Sequence, residues 1–78
     1  MRKSRFSKQY ESLLRSLRAV RKEADMTQTE VGRRFGAHAS FVSKIESGER
    51  RIDVVELAAF CKLYGITIVD FLKRVGLE

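Results

Sequence analysis

Between Ala39 and Ser47 the chain carries small, hydroxylic and basic side chains at spacings that place them on one side of a helix. At about 100° per residue, with Ala39 at zero, Ser43 falls at about 40°, Ser47 at about 80°, Ser40 at about 100° and Lys44 at about 140°. Val42 and Ile45 fall on the other side, at about 300° and about 240°. A face of Ala, Ser, Ser, Lys and Ser lets the backbone approach a partner closely. Its chemistry is that of base-edge recognition: a serine hydroxyl donates or accepts, a lysine reaches guanine O6 and N7, and Ala39 or Phe41 can touch a thymine methyl group. A solvated face of a small bundle is the plainer explanation of the same residues. Enzymatic equipment is scarce by comparison. The chain has one His and one Cys, no Gly-rich phosphate loop and no nucleophile, base and carboxylate set around His38. No enzyme, no cofactor and no metal site is expected, and Cys61 reads as a small core residue.

The elements that must position this face have clear ends. Thr27 is an N-cap with Glu30 three residues on, a capping box, and Val31 and Phe35 supply the inward side of a two-turn helix. Gly36 ends that helix, because a left-handed reversal favours a residue without a β-carbon. The next helix starts between Ala37 and Ala39, runs to Ser47 and stops at Gly48. Two short helices joined by a glycine-marked turn are the arrangement of a helix-turn-helix.

The run Met26-Thr-Gln-Thr-Glu-Val-Gly-Arg-Arg-Phe-Gly36, followed by Ser40-Phe-Val-Ser-Lys-Ile-Glu-Ser-Gly-Glu-Arg-Arg51, resembles the lambda-repressor-like, or Cro/repressor (XRE), helix-turn-helix family. The resemblance extends from about Tyr10 to about Leu72. It implies an all-α, compact five-helix domain that binds double-stranded operator DNA as a homodimer. It also implies roles for particular residues. Ala39, Ser40, Phe41 and Lys44 would contact bases, with residues 38–47 in the major groove. Gln28, Ser43, Ser47, Arg50 and Arg51 would contact phosphates. Two positions depart from the usual pattern: Ala39 stands where a long polar base-reading residue is common, and His38 where a small hydroxyl residue often caps the recognition helix.

Charge is distributed unevenly. The net charge is +6, and residues 1–22 hold eight Lys/Arg against one Glu, so the positive excess lies at the front. Arg2, Lys3, Arg5 and Lys8 show no helical periodicity. Residues 1–7 therefore read as a flexible basic arm that tracks phosphates or the minor groove, or as a solubilising tail, and residues 8–78 as the domain. From about Ser7 the chain is helical, with Tyr10, Leu13, Leu14, Leu17, Val20 and Ala24 on one face. Arg21 falls at about 20° from Tyr10, inside that face. A guanidinium there needs a carboxylate, since an unpaired interior charge costs several kcal/mol. Glu46 is the candidate partner, and the resembled family often joins these two positions by an ion pair.

Beyond Gly48, Asp53 caps a helix running to Tyr64 and stopped by Gly65. Val54, Leu57, Ala58 and Cys61 form one apolar stripe on it, and Val55, Ala59 and Leu63 a second, so it is expected to be covered twice. A last helix begins near Thr67. Ile66, Ile68, Phe71, Leu72 and Val75 are too many for a helix of about eight or nine residues to turn toward one small core, and Ile66, Ile68, Phe71 and Leu72 are expected to form a dimer seam. Seventy-eight residues make a single domain. No apolar run approaches a membrane span and no secretion signal is evident, so a cytoplasmic protein is expected. The function expected is a sequence-specific transcriptional regulator. The runner-up is an antitoxin-like protein that binds a partner toxin, or a restriction-modification controller.

Overall fold

Five helices follow one another in the computed structural model, which describes residues 7–77. They are α1 (Ser7–Glu23), α2 (Gln28–Arg34), α3 (Ala39–Ser47), α4 (Val54–Tyr64) and α5 (Ile68–Arg74). No strand occurs among the described residues, and none of their helices is long and apolar enough to cross a membrane.

Local chemistry sets most of the boundaries. Thr27 Oγ1 accepts the Glu30 N–H at 3.1 Å while Glu30 Oε1 accepts the Thr27 N–H at 3.0 Å, so two of the first orphan donors of α2 are satisfied. Asp53 and Glu56 close the same reciprocal box at the start of α4. Thr67 caps α5 through the Asp70 N–H. Gly48 and Gly65 end α3 and α4 in the left-handed conformation. The end of α1 is less usual. Asp25, with φ 58°, occupies the left-handed position that glycine favours, and the N–H groups of Asp25 and Met26 return to Lys22 and Arg21.

The core is one cluster of apolar side chains drawn from all five helices. Leu13, Leu14, Leu17 and Val20 of α1 meet Val31, Val42, Ile45, Leu57, Phe60, Cys61, Tyr64 and Phe71. Gly32 makes the closest backbone approach: a β-carbon there would stand 2.8 Å from the His38 carbonyl oxygen. The Ala37 N–H donates to the Gly32 carbonyl across the same gap. Gly32→Val is therefore expected to push the turn off α2 and destabilise by about 1–3 kcal/mol, measured by denaturant unfolding. A loss below about 0.5 kcal/mol would show that the turn yields freely.

Two expectations about the C-terminal half require correction. On α4 the buried face is Leu57, Phe60, Cys61 and Tyr64, while Val54 and Val55 are 69% and 75% exposed, so the two supposed stripes do not divide as the helical projection suggested. Phe71, expected at a dimer seam, is fully buried within the protomer's own core. Ile66, Ile68 and Val75 also pack against that core. The physical reason is the brevity of α5. Ile66 precedes the cap and Val75 follows the last turn, so neither obeys the helical projection and both can turn inward. Val69 is the outward apolar residue of α5, at 51% exposure.

Candidate nucleic-acid interface

The small, polar face lies on α3, and α3 is held from behind by a carboxylate. Glu46 lies on the inner flank of the helix and accepts Arg21 Nε at 2.6 Å, Arg21 Nη2 at 3.1 Å and Gln28 Nε2 at 3.0 Å. Arg21 Nη1 donates to the Met26 carbonyl at 2.8 Å, just beyond the Asp25 turn. The side chains of Arg21 and Glu46 are 8% and 4% exposed. The hydrogen bond to Glu46 raises the Arg21 pKa above its ordinary value against the opposing effect of burial. One carboxylate thus gathers α1, α2 and α3, and it fixes α3 in rotation as well as position.

With Val42 and Ile45 buried and Glu46 tied inward, the opposite side of α3 is presented to solvent. Ser40, Ser43 and Lys44 are exposed on it, and Ala39 is half-buried at its start. His38 occupies the N-cap position without a side-chain capping bond, leaving the first amides of α3 uncapped by it. Ser47 is also exposed, but its hydroxyl donates to the Lys44 carbonyl at 3.1 Å and accepts from the Glu49 N–H. Its proton is therefore committed to the end of the helix rather than held ready as a donor.

Phe41 departs from its expected role among the base contacts. Its ring is stacked against Phe60, with centroids 6.1 Å apart, and it lies beneath the Arg50 guanidinium at 4.9 Å. At about 200° on the helical projection it borders the polar face, but α4 supplies an aromatic surface that draws it inward. Arg50 and Arg51 follow in the loop after α3. Arg50 makes a two-pronged pair with Glu56, and Arg51 lies over the Tyr10 ring at 4.4 Å. Tyr10 Oη in turn accepts the Ile52 N–H, so α1 anchors this loop as well. Arg2, Lys3 and Arg5 lie outside the described residues.

Basic residues beyond those expected to contact DNA line two further clefts. Arg18 and Lys22 of α1 line an open cleft with Thr27, the N-cap of α2, and with Gln28 and Thr29. Arg33 lines a smaller one with Thr29, His38 and Ala39. Their charge was visible in the sequence, but their apposition to Gln28 and Ala39 depends on the turn at Asp25 and on the α2–α3 crossing. Among the described residues no group of His, Cys, Asp and Glu is arranged to hold a metal ion.

A family model described as a helix-turn-helix domain matches residues 12–71, a span that begins within α1, contains α2, α3 and α4, and ends within α5. The chain belongs to the helix-turn-helix domain family. The helix-turn-helix is a DNA-binding unit, and here α2 and α3 are its two motif helices. No curated protein and no solved structure matches the chain.

Proposed function

We propose that this helix-turn-helix domain is a sequence-specific transcriptional regulator that binds double-stranded DNA as a dimer on a pseudo-palindromic site. It is a binding protein, with no catalytic step in its action. The observation that carries the reading is the pairing of an exposed, small-residue face on α3 with a shielded network behind it that fixes the helix's rotation. In this reading α3 lies in the major groove, Ser40 and Lys44 read base edges, and Ala39 contacts a neighbouring base. Gln28, Ser43, Arg50 and Arg51 engage phosphates, joined by Arg18 and Lys22 from α1. A single nine-residue recognition helix spans few base pairs, so useful affinity calls for two copies about 34 Å apart, one turn of DNA. Val69, with the half-buried Ile66, Ile68 and Leu72 beside it, remains the apolar surface available for self-association once Phe71 is assigned to the core.

Selection of bound duplexes from a random-sequence pool tests both parts of the proposal. The expected product is a motif with two-fold symmetry and half-sites one helical turn apart. On that motif Lys44→Ala should cost about 1–3 kcal/mol and relax preference at one base pair. An enriched asymmetric motif would refute the dimer, and a pool without enrichment would refute sequence-specific binding. Equal weakening of Lys44→Ala on all sequences would make Lys44 a phosphate contact only.

A further inference from the structure

Glu56 is engaged twice. Its Oε1 accepts the Asp53 N–H at 3.1 Å, closing the capping box of α4, and its two oxygens also receive Arg50 Nη1 at 3.2 Å and Nη2 at 2.9 Å. Arg50 Nη1 additionally donates to the Arg51 carbonyl at 3.2 Å, and the flat guanidinium rests over the Phe41 ring. The arginine is thereby oriented by a carboxylate at one edge and an aromatic ring beneath. A guanidinium has a second edge, formed by Nε and the remaining Nη2 hydrogen, that can grip an oxyanion in the same two-pronged way. No acceptor among the described residues occupies that edge of Arg50. The pair is accessible, with 44% of the Arg50 side chain and 25% of the Glu56 side chain exposed.

We propose that Glu56 is a positioning residue for DNA binding: it holds one edge of the Arg50 guanidinium so that the other is presented to a backbone phosphate. The inference rests on the DNA-binding reading above and adds to it a role for an acidic residue. A free surface arginine surrenders rotamer freedom when it grips a phosphate, and an arginine already held surrenders less. Charge alone argues the opposite. A carboxylate beside a polyanion repels it, so removing the charge should tighten binding if Glu56 does nothing else. The sign of the effect therefore separates the two.

The test is the affinity of the full chain for a mixed-sequence DNA duplex across a salt series, read by fluorescence anisotropy, for wild type, Arg50→Ala, Glu56→Gln and the double variant. Arg50→Ala should flatten the slope of log K against log salt by about 0.9. Glu56→Gln, whose amide oxygen can still accept the Asp53 N–H, should weaken binding by about two- to tenfold, the equivalent of ordering one long side chain. In the Arg50→Ala background that weakening should vanish, leaving only the slight tightening that loss of a negative charge gives. Arg50→Lys carries the same expectation without touching the start of α4: charge is kept, the second edge is lost, and affinity falls in the same range. Binding by Glu56→Gln equal to or tighter than wild type, equal weakening in both backgrounds, or wild-type affinity in Arg50→Lys would each overturn the positioning role. A wild-type chain without salt-dependent duplex binding would overturn the DNA-binding reading, and this role with it.

Discussion

Glu46→Ala should bring the domain close to unfolding, with a loss of about 3–5 kcal/mol in denaturant melts. The expected loss is large because of what remains after the substitution. Arg21 would keep its charge inside a cavity built for a pair, with Nε and Nη2 deprived of their acceptor and only the Met26 carbonyl left to it. Gln28 would lose its partner at the same time. A domain of this length has a total stability on the order of 4–12 kcal/mol, so the loss is a sizeable share of the whole. Arg21→Ala should be similarly damaging, whereas replacing both charges with Met and Leu should recover much of the stability, because no ion is then stranded. A loss below about 1 kcal/mol in either single variant would show that the pair behaves as a surface salt bridge despite its shielding.

Phe60→Ala is expected to cost a comparable amount, about 3–5 kcal/mol. Phe60 is 2% exposed and touches three rings: Phe35 edge-on at 4.9 Å, Phe41 stacked at 6.1 Å and Tyr64 at 6.0 Å. Truncation would open a void beneath Phe41, the ring that supports Arg50 on its outer side. Phe60→Leu should cost less, since most of the volume is retained. Urea titration with an unchanged m value is the appropriate measurement. A Phe60→Ala loss under about 1 kcal/mol would mean that neighbouring rings collapse into the space and that the aromatic group is not a fixed support.

These two residues differ in how legible they were. The Arg21–Glu46 partnership could be anticipated because a lone arginine inside an otherwise apolar stripe demands a carboxylate, and few carboxylates fall on an inward flank. The helix ends were legible for an equally local reason. Thr27 with Glu30, Asp53, Thr67 and the glycines at 36, 48 and 65 act through bonds or dihedral angles within a few residues of themselves. Phe60 was not legible, because α4 is apolar on several sides and a helical projection cannot choose among them. Only the crossing with α2 and α3 selects Leu57, Phe60, Cys61 and Tyr64 over Val54 and Val55. The same crossing turns Phe41 inward, while the loop leading into α4 folds Arg50 back onto Glu56, six residues on. Phe71 was misread because a seven-residue helix offers the core more than its helical positions: the residues flanking it fold inward as well.

The Glu46 network and the exposed face of α3 also divide the labour of inheritance. Among the described residues, the side chains of Ser40, Ser43 and Lys44 form no hydrogen bond or ion pair with the rest of the domain. Glu46, two positions beyond Lys44, ties its own helix to both α1 and α2. If α3 reads DNA as proposed, exchanges at Ser40 and Lys44 would redirect the target without disturbing the fold. A change at Glu46 would instead unseat α3 itself.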